Sequence, residues 1–175
     1  NRRFIAAAYK TVAQAARDYA ALINGKGGLG GNKIEITVQD HGNEPQRGIE
    51  CYERLKRDGV MVFDFMSTPV ARAVLPRVMQ DGNLMIQAFH GRADAVDGEV
   101  FKPVFPLGPT YWGQAANMVS YIKRQAGADF KKTKIAFLYV DYPFGQEPIA
   151  VLQELQKREG FALAMFPYPL PGNDM

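Results

Sequence analysis

The chain has 175 residues, of which 47% are apolar and 22% are charged, as in an average soluble globular protein. This length favours one domain, or one domain and part of another, and this composition excludes a disordered or collagen-like chain. The net charge is +3 and the basic residues are scattered in pairs, so no nucleic-acid partner is predicted. The longest apolar runs, such as Ile135–Val140, are far shorter than the roughly 20 residues of a membrane-spanning helix.

Metal and nucleophile chemistry have little support. The chain has one cysteine, Cys51, and two histidines, His41 and His90, so an intrachain disulfide is impossible and a Cys-rich zinc site is excluded. No carboxylates are spaced near either histidine in a way typical of a metal site, and no Gly-x-Ser-x-Gly nucleophile motif occurs. We therefore predict no catalytic residue, no metal and no cofactor. The missing motifs count against an enzyme, although an α/β enzyme of an unrecognised type is a further alternative.

Helical and extended patterns alternate from the start of the chain. Small and apolar side chains at three- and four-residue spacing predict a helix over 5–24. Lys33–Gln39 alternates apolar and polar side chains, which predicts a strand. Pro45 suits the first turn of a second helix that runs to about Asp58.

The later elements continue this alternation. Val60–Phe65 is an apolar run typical of a strand buried on both faces, and Ser67 or Thr68 can cap a third helix that runs to about Asp81. The remaining predicted elements are a strand at 84–89, an extended stretch at 101–107 that is broken by Pro103 and Pro106, a helix at 110–126 that Thr110 can cap, a strand at 134–140, a helix from about 146 to 159 and a strand at 161–168.

Alternating strands and helices with short connections predict an α/β protein with mostly parallel sheets. The Pro-rich stretch 101–109 is the candidate boundary between a first lobe, residues 1–107, and a second lobe, residues 108–175. A doubly wound lobe usually begins with a strand, whereas this sequence begins with a helix and stops just after a strand. Both ends are therefore expected to be incomplete. The first residues contain no starting Met and no signal peptide, so we expect a mature or trimmed chain.

The Gly-rich stretch 27–31 invites comparison with a phosphate-binding loop. Such loops follow a strand and precede a helix, so that the helix N-terminus points at the anion. Here the predicted helix comes first and the predicted strand second. We therefore interpret 27–31 as a structural turn.

Two loops at predicted strand ends in the first half are candidate ligand sites, because ligands of open α/β sheets bind beyond the carboxyl ends of the strands. Ser67 and Thr68 open a helix, where hydroxyl and amide groups can hold a carboxylate, although a plain helix cap explains them equally well. In the next loop, Gly91 would let the backbone approach a ligand closely. His90 can donate to a carboxylate or can simply be polar surface.

A third candidate loop follows the predicted strand at 134–140. Tyr142 and Phe144 lie in this loop, where aromatic side chains can wall an apolar ligand. The alternative is that these side chains pack onto their own helix. The residues alone leave both readings open.

Taken in order, several motifs resemble a known family. They are the helix end Asn24-Gly25, the turn and strand Gly30–Glu35, the acidic turn Asp40–Pro45, the strand and aromatic loop Lys134–Gly145, and the ending Pro171–Asp174. Their order and spacing are similar to those of the periplasmic solute-binding proteins of branched-chain amino acid ABC transporters.

The resemblance implies the type I periplasmic-binding fold, with two doubly wound lobes, here incomplete at both ends. It implies capture of a branched-chain amino acid or a related small carboxylate, aromatic acids included, and delivery to a membrane permease. The expected location is periplasmic or extracellular, associated with the membrane through the transporter, and the intact protein is expected to be a monomer. The alternative is a ligand-sensing domain of a receptor or regulator with the same fold.

The resemblance also assigns ligand contacts by position. The family's hydroxyl-rich loop after the second strand is replaced here by Phe89-His90-Gly91-Arg92, which could favour a larger or aromatic acid with His90 or Arg92 near its carboxylate. The implied ligand-binding residues are Ser67, Thr68, Phe89, His90, Gly91, Tyr142 and Phe144.

Overall fold

The computed structural model describes residues 6–87, 91–93 and 96–169, with backbone only for residues 6–10. The chain divides into two compact units after Gly42, and each is described separately. The predicted lobe boundary between residues 107 and 108 stays a prediction.

The first unit contains helix α1 (Ala6–Gly25) and the Gly-rich turn that follows it. Gly28 has a φ of +79°, and a Cβ atom there would lie 2.1 Å from the carbonyl oxygen of Asn32. The turn is closed by a bridge between Leu29 and Asn32. This geometry agrees with the structural turn predicted for 27–31.

The strand predicted at Lys33–Gln39 does not form. A strand needs a neighbouring strand to complete its hydrogen-bond ladder, and no described strand pairs with this segment. The side chain of Asn24 pairs with it instead, because its Oδ1 accepts from the Ile34 N–H at 2.7 Å and its Nδ2 donates to the Ile34 carbonyl at 2.8 Å. Alternation of side chains thus does not show whether a segment has a partner strand.

The second unit alternates strands and helices, as predicted. Its helices are α2 (Pro45–Arg57), α3 (Thr68–Asp81), α4 (Tyr111–Ala126), α5 (Pro143–Gln146) and α6 (Ile149–Glu159), with a 3-10 turn at Gly127–Lys132. Its strands are β1 (Val62–Phe63), β2 (Leu84–Gln87), β3 (Val104–Pro106), β4 (Lys134–Val140) and β5 (Ala162–Tyr168). The short helix α5 replaces part of the loop expected at 141–145.

Two parallel sheets organise this unit. The first has the order β1-β2-β3, with Met85 of β2 opposite Phe63 on one side and Val104 on the other. The second consists of β4 and β5, in register from Lys134 opposite Ala162 to Val140 opposite Tyr168. Helix α3 connects β1 to β2, and helices α5 and α6 connect β4 to β5, as the crossover between parallel strands requires, whereas β2 and β3 pair in parallel with no helix described between them.

The segment 60–65 is not buried on both faces as predicted. Phe63 and Phe65 are buried, whereas Val62, which points to the other face of the strand, is 50% exposed. Met61, just before β1, is 69% exposed although it is two residues from Phe63. The described helices that pack on β1, α2 and α3, cover the face that carries Phe63.

The core of the first sheet lies between its buried face and helices α2 and α3. Tyr52 of α2 packs on Phe63 with ring centroids 4.7 Å apart, and both contact a buried stripe of α3. Gly48 lets the two helices touch, since a Cβ atom there would lie 2.2 Å from Val70. The α3 residues of this core are Val70, Ala71, Val74, Leu75 and Val78.

A polar cluster closes the far end of this core. The Tyr52 hydroxyl and Lys56 Nζ both donate to Asp81 Oδ2, at 2.6 and 2.8 Å. These hydrogen bonds, led by that from Lys56, hold the pKa of Asp81 below its ordinary value. Burial, with the nearby carboxylate, raises the pKa of Tyr52 to about 12, so the cluster keeps its hydrogen bonds at neutral pH.

The second sheet has a separate core. Helices α4 and α6 cover it through Val119, Leu152 and Leu155, and the rings of Phe130 and Phe161 pack 5.4 Å apart at its edge. Thr110 caps α4, as predicted, because its Oγ1 accepts from the Gly113 N–H at 2.9 Å.

Across the part of the chain that the structure describes, no helix is long and apolar enough to cross a bilayer. The same residues contain no group of three or more His, Cys, Asp or Glu side chains placed to hold a metal ion.

Candidate functional site

The junction between β1 and α3 contains Ser67, one of the predicted site residues. Ser67 is extended, with φ of −156°, and its Oγ accepts from the Val70 N–H at 3.4 Å as the N-cap of α3. The same hydroxyl donates to Asn43 Oδ1 at 2.5 Å. Ser67 therefore caps the helix, and its single proton is already given to Asn43.

The backbone around this serine is unusual. Asn43 and Met66 have φ values of 62° and 47°, and they are the non-glycine residues with positive φ in the described part of the chain. Asn tolerates this conformation, whereas Met rarely adopts it. The turn that holds Met66 is closed by Asp64, whose Oδ1 accepts from the Met66 N–H at 2.9 Å. Strained backbone of this kind concentrates at binding and catalytic sites.

Thr68 differs from Ser67 in its hydrogen bonds. It is 2% exposed, and its Oγ1 has no hydrogen-bond partner among the described residues. It lies at the first residue of α3, where backbone N–H groups are left without helical partners. Thr68 thus places a buried hydroxyl at a helix N-terminus, an arrangement that suits an anionic group.

The loop after β2 is described only in part. Phe89 and His90 lie outside the described residues, so their predicted roles stay predictions. Gly91 is described, and its carbonyl accepts from the Tyr111 N–H at 2.6 Å. A Cβ atom at Gly91 would lie 2.6 Å from the Pro109 carbonyl oxygen. Packing against residues 109–111 therefore explains this glycine structurally, and a ligand contact there stays a prediction.

Two side chains that were not among the predicted site residues are buried near this loop. Gln87, the last residue of β2, is 1% exposed. Neither its Oε1 nor its Nε2 has a hydrogen-bond partner in the described structure. Arg92 is also 1% exposed, so a guanidinium group lies in the interior just beyond the strand.

The junction between β4 and α5 contains the other two predicted residues. Tyr142 and Phe144 pack edge to face with ring centroids 6.1 Å apart, and Phe144 is 41% exposed. Gly145 permits the tight turn, because a Cβ atom there would lie 2.2 Å from the Val140 carbonyl oxygen. This junction carries two aromatic rings, whereas the β1–α3 junction carries the hydroxyl groups of Ser67 and Thr68.

Asn43 connects the two junctions. Its Nδ2 donates to the Tyr142 hydroxyl at 2.7 Å, and that hydroxyl donates to the Asn43 carbonyl at 3.4 Å. Burial raises the pKa of Tyr142, partly offset by the bond from Asn43. The chain Ser67–Asn43–Tyr142 thus brings together predicted site residues from the two sheets. Asn43 was not among the predicted site residues, because it lies in a polar turn and its partner Tyr142 is 99 residues away in the sequence.

A second contact joins the same two regions. Arg72 of α3 forms an ion pair with Glu147, whose side chain is 3% exposed. The Trp112 indole N–H donates to the Glu147 carbonyl at 2.8 Å. These groups border an open cleft of about 290 Å³. Its lining residues are Arg72, Trp112, Pro143, Gln146, Glu147 and Ala150.

A larger cleft, about 480 Å³, lies between α4 and α6. It is bordered by Lys123 and Arg158, both paired with Glu159. These residues lie near the C-termini of their helices, which places them away from the carboxyl ends of the parallel strands where ligands bind. The site at the strand ends is the better candidate.

Comparison with known proteins identifies the family of the chain. The family profile for periplasmic binding proteins matches residues 5–175. No curated protein matches the chain. Among solved structures, a Pseudomonas fluorescens group protein described as an ABC transporter permease is 36% identical, with a TM-score of 0.75, over 90% of this chain and 40% of that one.

More distant structures share the fold. A Thermus thermophilus branched-chain amino acid ABC transporter protein with bound valine has a TM-score of 0.77 at 19% identity, over 90% of this chain and 40% of that chain. A Rhodopseudomonas palustris solute-binding protein in complex with 3,4-dihydroxybenzoic acid has a TM-score of 0.69 at 24% identity, over 91% and 44%.

The present chain spans less than half the length of these solved structures. Over that span the predicted type I periplasmic-binding fold is confirmed. The chain belongs to the periplasmic binding protein family.

Proposed function

We propose that the protein containing this chain is the extracytoplasmic substrate-binding component of an ABC transporter. It captures a small carboxylate and delivers it to a membrane permease. The carboxylate is a branched-chain amino acid or a related acid, and aromatic acids belong to this range. It acts as a monomer, located in the periplasm or at the cell surface, and carries out no catalysis. Related solved structures are described with valine and with 3,4-dihydroxybenzoic acid, which supports this range of ligands.

The observation that carries the proposal is the polar arrangement at the start of α3. A buried hydroxyl without a partner, Thr68 Oγ1, lies at a helix N-terminus beyond the carboxyl end of a parallel sheet. Such a position favours an anionic group through the helix dipole and the free N–H groups. The adjacent Ser67–Asn43–Tyr142 chain brings an aromatic wall to the same place.

Two further features fit capture of an acid. Arg92 supplies a buried positive charge just after β2, and Phe144 offers a half-exposed ring that packs against Tyr142. Closure of the lobes around the ligand would exclude water, so that a few polar groups fix its orientation.

The test is a thermal-shift screen of the full-length protein after unfolding and refolding, which removes any ligand retained during purification. The screen contains branched-chain amino acids, aromatic acids, short amides and, as a negative set, neutral sugars. A ligand at about 100 times its Kd adds roughly 2.7 kcal/mol to the free energy of unfolding. We expect a clear shift with carboxylates and none with sugars.

Shifts with sugars alone, or with no compound, would contradict the proposal. A carboxylate response in a protein whose complete chain carries a kinase or DNA-binding module would instead favour a ligand sensor. Calorimetric titration of each positive compound then gives its Kd and checks that one molecule binds per protein.

A further inference from the structure

The side chain of Gln87 is a buried polar group that the fold does not use. It is 1% exposed, and both its amide oxygen and its amide nitrogen are without hydrogen-bond partners in the described structure. Burial of an amide without hydrogen bonds is costly, and buried polar groups in native proteins are nearly always paired. An apolar side chain would fill this position without the free-energy cost of burying an unpaired amide. Packing alone therefore does not explain a glutamine here.

The register of β2 shows which way Gln87 points. Successive side chains of a strand alternate between the two faces of a sheet, so Gln87 shares a face with Met85, two residues earlier. Met85 is fully buried in the core that α3 covers, opposite Phe63 of β1. Gln87 therefore lies on the α3 side of the sheet, one step beyond that core toward the carboxyl end of the strand.

The same end of the sheet holds the N-terminus of α3. A helix that connects parallel strands runs back along the sheet, so its first residues lie above the strand ends. Thr68 begins this helix, and its buried hydroxyl also has no hydrogen-bond partner among the described residues. Two buried polar side chains without partners thus lie on one face and at one end of the first sheet.

We propose that Gln87 is a ligand-binding residue and that, with Thr68, it forms a polar subsite selective for one kind of group. The Gln87 amide offers a donor, Nε2, and an acceptor, Oε1, bonded to the same carbon atom. Its complement is a ligand group that carries an acceptor and a donor side by side, as in a 2-hydroxy acid or a catechol. A simple carboxylate lacks the donor. This inference rests on the proposed function, because it specifies the ligand chemistry of the same site.

The proposal makes two predictions with opposite signs for Gln87→Met, a substitution that keeps the length of the side chain. Without ligand, removal of an unpaired buried amide raises the melting temperature of the full-length protein by about 2–4 °C. With ligand, loss of the amide contacts weakens binding about 10- to 100-fold. Gln87→Leu serves as the second variant. Gln153→Met makes the same change at an exposed position of α6 and should alter neither quantity.

Matched probes identify the group that the amide recognises. We would titrate 3-methylbutanoate against 2-hydroxy-3-methylbutanoate, and benzoate against 3,4-dihydroxybenzoate. In the unmodified protein the hydroxylated member of at least one pair should bind at least 10-fold more tightly. Gln87→Met should reduce that preference to within about twofold, and the pair that responds distinguishes an aliphatic hydroxy acid from a catechol.

Thr68→Val tests whether the two side chains share one ligand group. If they do, the losses in affinity for Gln87→Met and Thr68→Val will not add in the double variant. A lower melting temperature in both Gln87 variants would overturn the proposal, because it would mean that the amide stabilises the unliganded fold. Unchanged affinity and selectivity would overturn it as well.

These outcomes separate this proposal from the proposed function. If no carboxylate in the screen binds the unmodified protein, the proposed function fails. The melting temperatures of the Gln87 variants still decide whether the amide is unsatisfied. If carboxylates bind and the variants bind them equally well, only the role of Gln87 fails.

Discussion

The junctions that follow β1 and β4 have the same plan and different chemistry. Each passes from a parallel strand into a helix with proline in its first turn, Pro69 in one and Pro143 in the other. The first junction buries Ser67 and Thr68, and the Ser67 side chain caps α3. The second has no side-chain cap, and Phe144 is 41% exposed. One structural plan thus carries buried hydroxyl groups at one junction and an exposed aromatic ring at the other.

The contrast shows how a site can be divided between two similar sheets. Buried hydroxyl groups are useful only where a rigid core holds them, and α3 supplies such a core through five buried side chains. An aromatic wall requires less positioning, because ring contacts are less directional than hydrogen bonds. The four-residue helix α5 is sufficient for that purpose.

The largest expected effect follows from removing the hydroxyl groups of the first junction. The double substitution Ser67→Ala and Thr68→Ala should weaken ligand binding by about 2–4 kcal/mol, because the hydrogen bond from Thr68 to a charged group is lost and the bond from Ser67 that holds Asn43 next to Tyr142 is removed. Calorimetric titration of the full-length protein with a carboxylate from the screen measures this change. Equal affinity in the double variant would remove both residues from the site.

The single variants sharpen the comparison within that junction. Ser67→Ala removes a helix cap and should lower the free energy of unfolding by about 1 kcal/mol. Thr68→Val removes a hydroxyl that has no partner and should leave stability intact while affinity falls. Lower affinity for Ser67→Ala with lower stability for Thr68→Val would instead make Ser67 the ligand contact and Thr68 the structural residue.

The next effect concerns the ion pair that links α3 to the residue after α5. Arg72→Met leaves the buried carboxylate of Glu147 without this partner, which costs about 3–5 kcal/mol in a fully buried pair. Since the Arg72 side chain is 42% exposed, we expect about 1–3 kcal/mol in chemical denaturation of the full-length protein.

Arg77→Met is the matched control for this prediction. Arg77 lies in the same helix, is 44% exposed and pairs with the more exposed Glu53 at 3.4 Å. Surface pairs of this kind contribute about 0–1 kcal/mol. Equal destabilisation by the two substitutions would show that burial of Glu147 does not strengthen its pair.

A smaller effect is expected at the contact between the junctions. Tyr142→Phe keeps the ring and removes the hydroxyl that bonds to Asn43, at a cost of about 0.5–1.5 kcal/mol. Thermal unfolding should show the loss, and Tyr121→Phe, at an exposed ring, should not. A neutral result would mean that the aromatic junction is placed by ring packing alone.

The smallest expected effect tests a region away from either junction. The pKa of Asp81 is lowered chiefly by the hydrogen bond from Lys56 and then by that from Tyr52. A lowered pKa stabilises the fold above the unfolded value of about 3.9, and this stabilisation is lost as the pH falls through the folded value. Asp81→Asn should therefore flatten the decline in stability below about pH 4.

Asp58→Asn, at an exposed position, provides the control in the same acid titration. Urea midpoints measured from pH 7 down to pH 2 would reveal the difference between the two variants. An identical acid limb in both would mean that the Asp81 cluster persists in the unfolded chain.

Local sequence signals predicted much of the second unit. The helix caps at Ser67 and Thr110 and the strands at 84–89 and 134–140 depend on neighbouring residues, and the structure has them at or near the predicted positions. The strand predicted at 33–39 was wrong, because a strand forms only where another strand of the sheet pairs with it. Side-chain alternation carries no information about that partner.

Neither Asn43 nor Gln87 was predicted as a site residue, and the reasons differ. Asn43 meets Tyr142 across 99 residues of sequence, and no periodicity reports such a contact. Gln87 could have been found from the sequence, because it is two positions after Met85 in a strand and therefore on the same, buried face. A polar residue at an inward strand position is a signal worth following in other sequences.

That separation of 99 residues also bears on how the molecule folds and opens. Each parallel sheet is built from strands that are close in sequence, so each can form early, whereas the bond between Asn43 and Tyr142 must close a long loop and forms late. Contacts that form last are also the easiest to break locally. We therefore expect the two junctions to separate in sub-global opening events, seen as faster hydrogen exchange in the segments around Asn43 and Tyr142 than at the amides of β2 and β4.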